Sequence, residues 1–317
     1  MSDRPLILDD VVKRFGDFAA VDRLSFAVRK GEIFGFLGPN GAGKTTTLRI
    51  ILGIVPPTSG RIAVLGSPSA IPVRRRLGYL PEERGLYRKM RAADTIAYFA
   101  SLRGVARKEA RRRATTLLER FGLGAFARAR NESLSKGMAQ KVQLLATIAH
   151  DPELLILDEP FTGLDPINQA TLESLLAELK AQGRTIVFST HTMQHAERLC
   201  DRFLIIDAGR KRFEGTLAEA RASFPPRLLI RTRDSAEPLA RAPGVRKVER
   251  APARDDEEPG YAVELAPGID PNMVLRAAFD AGMRLSRFEN ASASLHDIFV
   301  AIVGGDAAEA EQEEAAA

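Results

Sequence analysis

The chain has 317 residues, of which 45% are hydrophobic and 27% charged, the balance of an ordinary globular protein with one large domain plus a smaller one, or with two domains. No run of about 18 uncharged apolar residues occurs, so no membrane-spanning helix is expected. The formal net charge of +5 is unevenly spread, which leaves nucleic acid, an anionic membrane leaflet or a merely solvated helix face as readings of the basic part.

The opening MSDRPLILDD lacks the basic-then-apolar layout of a secretory signal, and the expected location is the cytoplasm. Residues 5–28 alternate as strands do, LILDDVVKRF and then LSFAV, with a turn near Gly16. After Gly31 the run EIFGFLG reads as a buried strand entering a glycine-rich loop. TTTLRIILGI continues as a helix that Pro56 and Pro57 stop, and RIAVLG is another strand. From residue 85 to 130 the pattern is helical and basic, with ten cations against Asp94, Glu109 and Glu119 between residues 91 and 130. The loop NESLSKG opens the helix MAQKVQLLATIAH. LLILDEP is a second buried strand, residues 166–182 are helical, TIVFST is a third strand and residues 192–200 are helical. Cys200 is the sole cysteine, which excludes an intrachain disulfide and fits a small buried side chain in a reducing compartment. FLIIDAG and KRFEG form a closing hairpin. Strands alternating with helices imply an α/β sheet, here with a helical insertion over residues 85–150.

Composition changes at Ser223-Phe224-Pro225-Pro226, which sets expected domains at 1–223 and 224–303. The second holds strands at RLLIRTR, VRKVERA, YAVEL and MRLSRFE, an acidic loop RDDEEPG, and helices over 271–281 and 294–303. That order suggests a small α+β domain. The tail 304–317 is rich in Ala and Glu and is expected to be disordered.

Gly38-Pro39-Asn40-Gly41-Ala42-Gly43-Lys44-Thr45, followed by Thr46, fits the phosphate-loop pattern G-x-x-x-x-G-K-[ST]. Glycines let backbone N–H groups curl around phosphates where a Cβ would obstruct. Lys44 supplies a point charge for the β- and γ-phosphates of ATP, Thr45 offers a hydroxyl to Mg²⁺, and the next helix aims its positive end at the same anion. Average residue frequencies put a chance match in this length at roughly 1 in 100. The buried strand Leu154-Leu155-Ile156-Leu157-Asp158-Glu159 then ends in two carboxylates, where ligands bind in open α/β sheets. Asp158 suits a water-bridged Mg²⁺, and Glu159 suits a general base that polarises the attacking water.

Just upstream, Leu134-Ser135-Lys136-Gly137-Met138-Ala139-Gln140 resembles the LSGGQ signature of ATP-binding-cassette (ABC) proteins. Thr162-Gly163-Leu164-Asp165 resembles their D-loop and Ser189-Thr190-His191 their switch-histidine segment. Phe15 stands where the family places an adenine-stacking aromatic, and Gly78-Tyr79-Leu80-Pro81-Glu82 where it places the Q-loop. The resemblance spans residues 5–220 and implies a P-loop NTPase of the ABC cassette type. GYLPEERGLYRKM and the appended domain look most like the sodium-export type. It further implies a head-to-tail dimer, homodimeric or heterodimeric, with each ATP between one copy's P-loop and the other's signature helix. Ser135 and Gly137, at a helix N-terminus, agree with a phosphate contact, and Ser135 is also a natural N-cap. His191 is expected to contact the γ-phosphate, while His150, His195 and His296 are assigned no chemistry.

Three positions depart from the family pattern. Lys136 replaces a glycine and either adds charge near the nucleotide or points to solvent. Met138 replaces a glutamine and cannot make its hydrogen bonds, and Gln140, two positions on, faces elsewhere along the helix. Glu82 replaces the Q-loop glutamine and puts an extra carboxylate near Mg²⁺. The expected function is a transport-coupled Mg²⁺-dependent ATPase, an exporter subunit lying peripherally on the cytoplasmic face of the membrane beside a separate transmembrane permease, with no nucleic-acid partner. The alternatives are a soluble ribosome- or DNA-acting ATPase, which usually carries tandem cassettes or a long coiled coil, and a non-hydrolysing cassette, which intact Lys44, Asp158, Glu159 and His191 oppose.

Overall fold

The computed structural model describes residues 3–83, 85–251, 258–291 and 293–304. The chain divides into two compact units, Met1–Thr216 and Leu217–Ala317.

In the first unit β1 (Leu6–Phe15) and β2 (Phe18–Val28) form an antiparallel pair, and β3 (Ile33–Leu37) leads through the glycine-rich loop into α1 (Lys44–Ile51). β4 (Ser59–Val64) pairs with β1 to complete a three-stranded sheet. Next come β5 (Leu77–Leu80), α2 (Ala92–Leu102), α3 (Arg107–Arg120) and α4 (Lys136–Ile148). β6 (Leu154–Asp158), α5 (Pro166–Ala181), β7 (Thr185–Thr190), α6 (Met193–Leu199), β8 (Arg202–Asp207) and β9 (Arg210–Gly215) close the unit. The central sheet runs β5-β6-β7-β3-β8-β9, parallel except for the β8–β9 hairpin.

Strands in such a sheet are covered on both faces, so their residues divide between two cores. Leu155 and Leu157 of β6, with Ile186 and Phe188 of β7, meet the helices α2–α5. Leu154, Ile156 and Val187, on alternate positions, meet α1 and the three-stranded sheet. In the insertion, Ala110, Ala114 and Leu118 form one i, i+4 stripe of α3 that is fully buried. Small residues there let α2 and α4 approach closely. The half-buried Cys200 lies against Gly35, and burial pushes its thiol up.

The short strand β5 carries little sequence signal. Its Gly78 is required by packing, since a Cβ would fall 2.9 Å from the Thr147 carbonyl oxygen.

The second unit begins with α7 (Leu217–Ala222) and builds a four-stranded antiparallel sheet, β11-β12-β10-β13, from β10 (Arg227–Arg231), β11 (Val245–Ala251), β12 (Gly260–Leu265) and β13 (Arg287–Ala291). α8 (Glu237–Ala240), α9 (Pro271–Asp280) and a helix over 295–304 accompany it. The strand expected at MRLSRFE starts later, at Arg287. Residues 283–284 are spent elsewhere: Met283 N–H caps α9 at Ala278, Arg284 N–H binds Asp234, and the Arg284 carbonyl accepts from Thr232. Most of the acidic loop, and the tail beyond Gly304, lie outside the described residues. Among the described residues no helix is long and apolar enough to cross a membrane.

Candidate functional site

The parallel order β6-β7-β3 brings three strand ends to one edge: the phosphate loop after Leu37, Asp158-Glu159 at the end of β6, and Ser189-Thr190-His191 at the end of β7. The loop's glycines meet demands no other residue meets. Gly43 has φ +99°, and a Cβ there would fall 2.3 Å from the Ala20 carbonyl oxygen; at Gly38 a Cβ would fall 2.4 Å from that of Ile206.

Lys44 opens α1 and turns back into the loop, donating to the carbonyl oxygens of Gly38 at 2.8 Å and Pro39 at 3.0 Å. Its ammonium stands 3.7 Å from Glu159 Oε1, with both side chains only 7% exposed. Burial pulls Lys44 below the ordinary lysine range, and Glu159, then Asp158 and Glu82, oppose that pull. Across the edge, Thr45 Oγ1 donates to Asp158 Oδ1 at 3.4 Å. Two hard oxygen donors from different elements therefore face each other beside a buried cation, a donor set that suits Mg²⁺.

Glu159 holds φ +48°, the left-handed region, a conformation that costs a non-glycine residue about 1–3 kcal/mol. It is fixed from β7, where the Ser189 carbonyl and hydroxyl accept the Glu159 N–H at 3.2 and 3.1 Å. The same Ser189 hydroxyl donates to Asp158 Oδ1 at 2.6 Å. His191 Nδ1 meets Glu159 Oε1 at 2.9 Å. With Nδ1–H donating to that carboxylate, His191 Nε2 can donate to a second anion only as the imidazolium.

A cleft of about 570 Å³ opens over these groups, lined by Asn40, Gly41, Gly43, Lys44, Thr45, Thr46, Glu82, Glu159 and His191 together with Phe18, Ala20 and Thr162. Gly38, Pro39 and Ala42 of the loop do not line the cleft: the Gly38 and Pro39 carbonyls accept from Lys44, and Ala42 is buried. Phe15 is not among the lining residues: it is exposed, with the Lys13 ammonium 4.9 Å from its ring centre, and its cross-strand neighbour Phe18 faces the cleft instead.

Ser135, Gly137 and Asp165 do not line this cleft either. Ser135 N-caps α4 by accepting from Met138 N–H at 3.3 Å. Asp165 N-caps α5 through Asn168 N–H, whose bond holds the Asp165 carboxyl below its usual range. Lys136 is exposed and lies against the D-loop, where a Cβ on Gly163 would fall 2.7 Å from its Nζ. Met138 packs into the helix-side core. Gln140 does not line the cleft, and its amide donates to the Pro160 carbonyl. His195 is structural, stacked on Phe161 at 3.9 Å and bound to Glu173.

The expected site residues did not include Ser189, Gln140, Phe18, Ala20 or Thr162. Ser189, Gln140 and Thr162 stood inside the segments that resemble the switch histidine, the signature and the D-loop, whereas Phe18 and Ala20 carried no signal.

A phosphate loop facing a strand-end Asp-Glu pair, with a histidine on the glutamate, defines a nucleoside-triphosphate-hydrolysing cassette. Residues 21–162 match the ABC transporter family, and residues 215–303 match the C-terminal domain of DrrA1-3-like ATP-binding proteins. The chain is similar to the uncharacterized ABC transporter ATP-binding protein YhaQ of Bacillus subtilis, 39% identical over 94% of this chain and 98% of that one. It is 37% identical to Nod factor export ATP-binding protein I of Burkholderia thailandensis, over 96% of this chain and 98% of that one. A solved structure of the ATP-binding subunit of an ABC transporter superposes with a TM-score of 0.65 at 35% identity, over 69% of this chain and 92% of that one. This chain belongs to the ATP-binding subunits of ABC transporters, which bind and hydrolyse ATP and work with transmembrane subunits.

Ser189→Ala removes an oxygen that serves both carboxylate-bearing residues. We expect ATPase turnover to fall about tenfold, the value of one charge-assisted hydrogen bond, in a steady-state phosphate-release assay; turnover within twofold of the parent would show that the bridge does not matter.

Proposed function

We propose that the chain hydrolyses Mg²⁺-bound ATP in a head-to-tail dimer and so powers an exporter whose membrane path is a separate transmembrane subunit. The convergence of Lys44, Thr45, Asp158, Glu159 and His191 on one strand edge carries the reading. Mg²⁺, held by Thr45 and Asp158, would supply charge neutralisation at the β- and γ-phosphates. Glu82 lines the same cleft and is proposed to join that oxygen set. Phe15 is proposed to meet the adenine, on the family resemblance alone.

His191 occupies Glu159 Oε1, which leaves Oε2 to accept a proton from the attacking water. His191 then keeps Glu159 in place and contacts the γ-phosphate. Ser135 and Asp165 are exposed and Gly137 is half-buried, all three outside their own chain's cleft, which supports a role toward the nucleotide of a second copy. Ile167, two residues past Asp165, is 79% exposed, an apolar side chain suited to burial in that contact. A homodimer is the simplest assembly, and a heterodimer with a related ATPase uses the same surfaces. The export name of the Burkholderia relative supports the outward direction. The cations of residues 91–130 then lie near the partner's cytoplasmic loops and the anionic leaflet, on the cytoplasmic face, and need no nucleic acid.

Glu159→Gln should cut turnover about 10²–10⁴-fold while nucleotide binding survives. Turnover within twofold of the parent would remove Glu159 as the base. For Glu82, a Mg²⁺ titration of activity decides: Glu82→Gln should shift the half-saturating Mg²⁺ upward, because a carboxylate attracts a dication better than a neutral amide does. Superimposable curves would take Glu82 out of the site.

A further inference from the structure

The left-handed turn that carries Glu159 is gripped from a second side, by the signature helix of the same chain. Backbone in that region persists only where its neighbours over-determine it. Ser189 supplies one restraint, on the Glu159 N–H. The following carbonyl, that of Pro160, accepts a hydrogen bond from Gln140 Nε2 at 3.0 Å. Proline has no N–H, so this carbonyl is its only backbone handle. Gln140 is half-buried on the second turn of α4, between α4 and α5 beside Leu144 and Leu164. Two close approaches lie beside it: a Cβ on Gly137 would fall 2.9 Å from Asn168 Nδ2, and one on Gly163 would fall 2.7 Å from Lys136 Nζ. The first turns of α4 thus meet the segment 160–168 at three points, one of them a hydrogen bond.

We propose that Gln140 is a positioning residue for Glu159. By holding the Pro160 carbonyl it fixes the Pro160–Phe161 peptide, and through the ring-restricted φ of Pro160 it steadies the turn from which the Glu159 carboxylate projects into the cleft. Gln140 touches neither the carboxylate nor the reacting atoms; it acts through the backbone. The inference rests on the reading of Glu159 as general base. It adds a link that reading lacks, since the helix whose start bears Ser135 and Gly137 is also the helix that steadies its own chain's base.

The test uses the full-length chain with Gln140→Met, which keeps length without a donor, and Gln140→Glu, which puts acceptors in the donor's place. Both should lower kcat for ATP about three- to tenfold, the range one hydrogen bond supports, with KM for ATP within about twofold. In a Glu159→Gln background Gln140→Met should cost no more than about twofold of the residual turnover, because residues acting through one group are not additive. Equal fractional losses in the two backgrounds, or an unchanged kcat in both single variants, overturn the role of Gln140. If Gln140→Met lowers the thermal midpoint enough to unfold under assay, the Gln140→Glu pair of measurements decides in its place. A Glu159→Gln parent with full turnover would instead place the failure at the general-base reading.

Discussion

The strands β6, β7 and β3 lie side by side and parallel, and the pairing of Asp158 with Ser189 sets where every reactive group falls. In that register one hydroxyl reaches both Asp158 Oδ1 and the Glu159 amide, and His191, two residues on, reaches Glu159 Oε1. A slip of one residue would turn Ser189 to the other face of the sheet and lose both bonds. What prevents the slip is apolar packing. Alternate residues of β6 and β7 fill separate cores above and below the sheet, so a shifted strand would exchange its entire set of contacts. The hydrophobic pattern deep in the sheet therefore determines the geometry of the carboxylates at its edge.

The same division explains what could be read from the residues alone. The phosphate loop was legible because its pattern encodes backbone shape: Gly38 and Gly43 are glycine for steric reasons that spacing reveals. The alternating helices and strands pointed to an α/β sheet with a helical insertion, the ordered motifs to the ABC cassette by resemblance, and the break in composition near Pro225 to a second domain. Contacts between distant elements were not legible. Ser189 gains its role only from the β6–β7 register, and Gln140 only from the packing of α4 on the segment after Glu159. Phe18 faces the cleft by virtue of a hairpin whose two exposed aromatics, Phe15 and Phe18, sit directly opposite each other, and strand alternation cannot choose between them.

The departures in the signature segment have local physical consequences. A lysine in the first turn of a helix is disfavoured by the helix dipole, by about 0.3–1 kcal/mol at an exposed position. Lys136 stands there with no acidic residue in the first turn of α4, its chain laid on Gly163. It therefore concentrates positive charge at an end that already favours anions. Met138 gives up the hydrogen bonds of a glutamine for apolar contact with the helix-side core. The segment thus keeps its N-cap, Ser135, and its close-packed Gly137 while exchanging one polar contact for packing and one glycine for charge.

The central claim is that two copies complete each other's sites, with the P-loop edge of one facing Ser135 and Gly137 of the other. Mixed dimers of two differently tagged copies test it most directly, with Ser135→Arg on one copy and ATP cross-linking read separately at each copy's P-loop. The account predicts that cross-linking in the closed dimer is lost at the P-loop of the unmodified copy, where the added bulk and charge would sit. Loss confined to the P-loop of the copy that carries Ser135→Arg would contradict it.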